Sequence, residues 1–338
     1  MSALEKHLTA KGHTILRDLS SELDVILIAS SKWHRQTCAY SVDDIEAYAL
    51  LHPRTCVVHR INSCDDQRGA DLGINRAILA ANRLADYTVF ISRFMRSYFA
   101  ARGFNLSQPH SVILNSADEE IFHPAGRAIW TPGQRMKIVT HHWSSNFMKG
   151  FDIYERLDQM LAQSPWREQF DFTFIGNIPL GVTFCNTRIM PPLFGVDLAQ
   201  ALKEHHVYIT AARHEPAGCH HIEAMRCGLP VLYLHSGALP EYCAPYGVAF
   251  TLVDFEQRLL EIRDRYMELS AKTLDCPYTA SSMAAEYEAL FLRLVEERRR
   301  NPRPLPDIKT RCLCRIRLAM GKFLRSCKEF TPWVLAVI

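Results

Sequence analysis

The chain has 338 residues, of which 48% are hydrophobic and 22% charged, and a net charge of +3. That composition excludes the disordered and collagen-like classes and is long enough for about two domains. Its longest apolar runs, residues 24–30 and 230–234, fall far short of the ~18 to 20 residues that a membrane-spanning helix needs. No basic stretch precedes an apolar block at the N-terminus, so the default expectation is a cytoplasmic protein. The eleven cysteines are scattered without a C-x-x-C pair and read as reduced, mostly buried thiols.

Taken in order, short β-rich runs alternate with longer amphipathic ones, the pattern of parallel sheets flanked by helices. The first half predicts helix 2–11, strand 24–30, helix 42–51, strand 55–61, helix 71–85, strand 87–92, helix 94–102 and strand 110–115. Residues 122–134 then concentrate Pro and Gly and read as a linker. The second half predicts strand 136–142, helix 150–163, strand 170–176, helix 196–205, strand 207–211, helix 219–227, strand 230–234 and helices 254–272 and 279–299. The fold class is therefore α/β: two Rossmann-like parallel-sheet domains facing a central cleft, the usual ligand site of open α/β sheets. The expected division is an N-terminal domain over 1–124, a C-terminal domain over 135–280, a helix over 281–300 that crosses back to the first domain, and a basic tail over 301–338.

Charge is uneven along the chain. From residue 298 to 338 there are eleven Lys and Arg against Asp307 and Glu329, a balance of +9 that leaves −6 for the rest. A mildly acidic body argues against nucleic acid as a partner. The tail alternates basic and apolar residues at helical spacing, with Trp333 beyond. Two readings stay open for it: peripheral contact with the inner face of a membrane, or a solvated terminus.

The densest local signal runs from Ala211 to Val231. A strand ends near Ala211, a Pro-Ala-Gly turn follows, and a helix begins near Cys219. Such a turn points the backbone N–H groups of Ala217, Gly218 and Cys219 at a phosphate, with Gly218 allowing close approach. Glu223, about one turn further on, is placed to accept from a hydroxyl such as a ribose, and Glu215 faces whatever the phosphate carries. No G-x-G-x-x-G follows a predicted strand and no P-loop occurs, so neither a nicotinamide dinucleotide nor a P-loop nucleotide is supported.

Glu215-Pro-Ala-Gly through Glu223-Ala-Met, then Gly228-Leu-Pro-Val and Ser236-Gly-Ala-Leu-Pro-Glu241, resembles the donor-site signature of glycosyltransferase family 4, retaining enzymes of the GT-B fold. Asn115, Phe122-His-Pro124, Lys149-Gly-Phe-Asp152 and Phe172-Thr-Phe-Ile-Gly176 follow the same order, from about residue 5 to residue 297. The resemblance implies a metal-independent hexosyltransferase with no cofactor. Its co-substrate is a UDP- or GDP-linked sugar and its acceptor a glycan or lipid-linked molecule of polysaccharide synthesis.

Position by position, the resemblance gives Lys149 the role of neutralising the departing diphosphate, His59 that of the first-domain histidine aimed at the donor sugar, Glu215 contact with that sugar and Glu223 the ribose. Leu193 is the candidate for backbone contact to the base. The family carries an arginine where this chain has Ser144, which makes His142 the candidate to stand in for it. Its opening strand and Gly-rich loop have no counterpart ahead of the predicted helix 2–11, so either the sequence is a truncated fragment or the first domain lacks that strand. Asp65, Asp66 and Arg68, in a polar loop after a predicted strand, are acceptor-side candidates, with an ordinary capped loop as the alternative. The His pairs at 141–142, 205–206 and 220–221 are not expected to bind metal, because adjacent side chains diverge on a strand or helix. Two other readings of the whole remain: a catalytically silent nucleotide-sugar-binding or scaffold protein, and a nucleotide-sugar epimerase of the same fold.

Overall fold

The computed structural model describes residues 2–19, 22–29, 40–326 and 334–337. Ser30, at the end of the first predicted strand, and Trp333 lie outside them. The chain forms two compact units, one of Met1–Asp65, Asp71–Ile113 and Ser281–Ile338, the other of Asp66–Ala70 and Leu114–Ala280. Each is an α/β layer structure built on one six-stranded sheet.

In the first unit the strands are β1 (Ile15–Leu16), β2 (Val25–Ile28), β3 (Cys56–Ile61), β4 (Tyr87–Phe90) and β5 (His110–Val112). From β2 to β5 all pairings are parallel. Runs such as Val25-Ile-Leu-Ile28 are buried throughout, as strands covered on both faces must be. One side packs on Leu4, Leu8 and the helix Ala280–Arg300 through Ala284, Tyr287, Leu290, Phe291 and Leu294. The other packs on the helix Val42–Leu51.

The chain beyond residue 300 is part of this unit. Arg303 donates to the carbonyl of Thr55 at 3.0 Å and to the Asp86 carboxylate, which Arg298 also reaches. The helix Ile308–Ser326 packs against the helix Val42–Leu51. A strand, Val334–Val337, completes the sheet by pairing antiparallel with β2 on one edge and β1 on the other. In chain order it is the last strand, β12.

The second unit contributes β6 (Met136–His142), β7 (Phe170–Gly176), β8 (Arg188–Met190), β9 (Val207–Thr210), β10 (Val231–Leu234) and β11 (Gly247–Phe250), in the spatial order β11-β10-β9-β6-β7-β8, all parallel. The Pro- and Gly-rich residues 122–134, which read as a linker in sequence, are strapped onto this unit. Ala128 N–H donates to the Lys203 carbonyl at 2.7 Å and Trp130 N–H to the Tyr266 hydroxyl at 3.2 Å. The predicted helix 254–272 is two helices, Phe255–Asp264 and Tyr266–Lys272, separated at Arg265. Cysteines 56, 64, 227, 243, 276 and 314 are buried, and 185, 219 and 312 are exposed.

Several histidines are buried without charge. His206 Nδ1 accepts the Lys137 N–H at 2.9 Å, and burial, with Lys137 and His205 adding, pushes its pKa down to about 4. Burial does the same to His59 and, against the pull of Glu215, to His221, each to about 4. In the unfolded chain these rings take up a proton near pH 6.5. Between pH 6.5 and 4 the unfolded state therefore binds more protons than the folded one, and stability rises with pH. The urea midpoint is expected to fall steeply on acidification through that window. His206→Asn should give a shallower slope than the parent chain; an unchanged slope would count against His206 as a source of the acid sensitivity.

Candidate functional site

The C-terminal ends of β6, β9 and β10, adjacent in the second sheet, carry the residues singled out in sequence. After β6 the chain makes a short turn, Phe147–Lys149, capped by Asn146 Oδ1 on the Met148 N–H at 2.8 Å. Gly150 follows with φ +89°, where an added Cβ would lie 2.4 Å from the Ala211 carbonyl oxygen. Only glycine lets the turn lie this close to the end of β9. The Met148 carbonyl accepts the Arg213 N–H at 2.7 Å and ties the two loops together. Across from it, Gly237, at φ +61°, lets the loop after β10 meet Glu215, whose carbonyl accepts the Ala238 N–H at 2.7 Å.

These backbone contacts place Lys149 Nζ 2.7 Å from Glu215 Oε2. Glu215 is 3% exposed, and its other oxygen accepts the Gly218 N–H at 2.8 Å. Burial works against ionising it, but the ammonium and the amide prevail and hold its pKa below the usual glutamate value. The Gly218 amide, expected from sequence to be free for a phosphate, is thus already taken by the carboxylate three residues upstream. The Ala217 carbonyl accepts from Asn115 Nδ2 at 2.6 Å.

A pocket of about 470 Å³ opens beside this pair, entirely within the second unit. Of the predicted residues, Arg68, His142, Lys149, Leu193 and Glu223 line it; Glu215, Ala217, Gly218 and Cys219 do not. Glu223, on the helix Cys219–Arg226, accepts from His141 Nε2 at 2.9 Å. His142 Nε2 lies 2.7 Å from the Tyr154 hydroxyl. Burial first, then Lys149 and His141, drive its pKa well below the ordinary histidine value, so it stands in the wall as a neutral ring and not as a substitute for a guanidinium. His220 is held neutral in the same way and engages Thr210 Oγ1 at 3.1 Å. The cations lining the pocket are Lys149 and Arg68, the latter exposed, with its carbonyl accepting from Asn146 Nδ2 at 3.2 Å.

Sequence reasoning passed over several lining residues. Trp143 and Phe194 are 67% and 60% exposed, with ring centroids 5.0 Å apart. Behind the wall, buried Tyr154 links His142 to the Ala211 N–H but carries no motif that could have marked it. Of the paired histidines, His141 turns to Glu223 and His142 to Tyr154, whereas the His220 and His221 rings lie 4.9 Å apart and the His142 and His220 rings 5.0 Å apart. Among the described residues no three His, Cys, Asp or Glu side chains form a group able to hold a metal.

Two candidates belong to the first unit. His59 is buried on β3, where Nδ1 accepts from Asn82 Nδ2 at 3.1 Å and Nε2 has no partner among the described residues. Asp65 is an internal cap. Its carboxylate accepts the N–H groups of Leu72, Ile74 and Asn75 at 2.9 to 3.0 Å, and these bonds, against the cost of burial, keep its pKa low. The ordinary capped loop is therefore the reading that fits Asp65, because its oxygens are occupied. Asp66 and Arg68 lie on a short turn grouped with the second unit.

Two changes test this geometry. Gly150→Ala should lower the unfolding free energy by about 3 kcal/mol in urea titrations, since a positive φ and a backbone collision coincide there. Lys149→Met leaves a carboxylate buried without its ammonium. The Glu215 pKa should rise, read by NMR titration, and stability at neutral pH should fall by about 3 kcal/mol.

No family model matches the chain, and no curated protein matches it. Solved structures do. Sucrose-phosphate synthase from Thermosynechococcus elongatus aligns over 72% of this chain and 69% of its own, with 17% identity and a TM-score of 0.57. The Anabaena protein HepE in complex with UDP and glucose aligns over 82% and 78%, with 18% identity and a TM-score of 0.56. The catalytic domain of starch synthase IV from Arabidopsis thaliana, bound to ADP and acarbose, aligns over 87% and 76%, with 14% identity and a TM-score of 0.59. With two α/β units, one sheet all parallel and the other parallel from β2 to β5, and with these neighbours, the chain has the GT-B fold of glycosyltransferases.

Proposed function

We propose that the chain is a retaining, metal-independent glycosyltransferase that moves a hexose from a UDP- or GDP-linked donor to a glycan or lipid-linked acceptor in the cytoplasm. The observation that carries this reading is Lys149, an ammonium in the wall of the pocket and paired with the first glutamate of the Glu215…Glu223 motif. Neighbours solved with UDP and glucose, or with ADP, are consistent with a nucleotide-linked donor.

The chemistry follows from charge. Breaking the bond between the anomeric carbon and the phosphate oxygen leaves its electron pair on the diphosphate, and a fixed ammonium stabilises that charge as it develops. Lys149 exchanges part of its contact with Glu215 for the phosphate. Arg68 supplies a second positive charge at the pocket mouth, in the role that neutral His142 does not fill. Glu223, in the pocket wall, takes the ribose hydroxyl, and the backbone near Leu193 takes the base. Ala217, Gly218 and Cys219 approach the phosphate only as Glu215 releases the Gly218 amide. Glu215, with each oxygen held and 3% exposure, is not placed to attack the anomeric carbon. Same-face attack by the acceptor, assisted by the leaving phosphate, needs no enzyme nucleophile. His59 is assigned to the sugar on the resemblance alone.

Donor titration is the direct test. A UDP- or GDP-sugar at one hundred times its dissociation constant should stabilise the fold by about 2.7 kcal/mol, insensitive to chelator, and should be slowly hydrolysed. Lys149→Ala should reduce hydrolysis by about 10² to 10³. A shift without hydrolysis or transfer would favour the silent nucleotide-sugar binder, a reading favoured by the neutral state of His142. No shift with any donor would overturn both.

A further inference from the structure

The helix Ile308–Ser326 is amphipathic in an unusual sense, because its apolar row faces outward. The side against the first unit carries Cys314, which is buried, and Leu318, which packs on the cluster of Leu23, Ile26, Ile45 and Tyr48. Arg317 fastens the same side to Asp43 and Asp44 at 2.8 and 3.3 Å. On the opposite arc, Ile308, Leu313, Ile316 and Met320 are 71%, 59%, 56% and 61% exposed. Lys309 and Arg315 are exposed on that arc or its margin, with no ion-pair partner among the described residues. The helix contains no Asp or Glu, and its sequence goes on to Lys322 and Arg325. A solvated surface helix shows water its polar side; this one shows water large apolar side chains set among cations.

We propose that this face is a docking surface for an anionic membrane, on which the apolar row enters the headgroup boundary and Lys309 and Arg315 meet lipid phosphates. Charge selects that occupant. A second copy of the chain would bring the same all-basic face and be repelled, and a nucleic acid would leave the apolar row in water. No helix among the described residues is long and apolar enough to cross a membrane, so the contact is peripheral. The inference does not rest on the transferase reading.

Flotation of the full chain with phosphatidylcholine vesicles, with and without about 30 mol% phosphatidylglycerol, tests it. Binding should require the anionic lipid and weaken at high salt. One cation at such a surface is worth about fivefold, so K309Q/R315Q should bind about thirtyfold more weakly. I316E/M320E should lose about tenfold or more, with both variants keeping the parent melting temperature. Three results would each overturn the proposal: no flotation with anionic vesicles, flotation unaffected by both pairs of substitutions, or a parent chain that is dimeric in light scattering and made monomeric by I316E/M320E.

Discussion

The contact between Lys149 and Glu215 is the constraint on which the candidate site depends. A carboxylate with 3% exposure is costly to bury unless its charge is matched at close range and its remaining lone pairs are used. Meeting that condition requires three loops, after β6, β9 and β10, to converge within hydrogen-bonding distance. Parallel strands in adjacent positions make the convergence possible, because their C-terminal ends open on the same edge of the sheet. Two glycines at positive φ, Gly150 and Gly237, then remove the side chains that would hold the loops apart. Ion pair and backbone geometry are thus one problem with one solution: the charges need the loops close, and the loops close only where Cβ atoms are missing.

The neutral histidines bear on the same electrostatics. His142 and His220 sit where a cation would strengthen an anion site, yet burial and the nearby ammonium keep both uncharged. Their ring nitrogens are engaged by Tyr154 and Thr210, so they act as hydrogen-bonding walls. Positive charge in the pocket is therefore concentrated on Lys149 and Arg68 instead of being spread over the wall. Lys149 is committed to one oxygen of Glu215, and the Gly218 amide to the other.

What the sequence made legible follows from which signals are local. Buried parallel strands such as Val25–Ile28 and Val231–Leu234 read directly, since both faces are covered and the apolar runs are continuous. The spacing of Glu215 and Glu223 also reads directly, because a loop and one helix carry both. The short edge strand β8, with two exposed residues in three, carries no hydrophobic pattern and went unread. The split at Arg265 escaped because neither helix changes its composition there. Tyr154, Trp143 and Phe194 reach the site through tertiary placement that no spacing rule encodes, and the committed state of the Gly218 amide depends on where the Glu215 side chain turns.

The basic segment beyond residue 300 shows most sharply how context decides. By composition it reads equally as a solvated terminus or as a membrane-surface element. In the fold it is bracketed: Arg303 is anchored near Thr55 and Asp86, and β12 joins the sheet beside β2. All four residues of β2 are buried, and β12 satisfies the backbone groups on the edge that β3 leaves open. An antiparallel partner serves that purpose as well as a parallel one, so chain from the far end of the sequence occupies the place beside β2. Because both flanks are fixed in this way, the helix between them presents one defined face, and its exposed apolar and basic side chains become a property of the fold rather than of a free end.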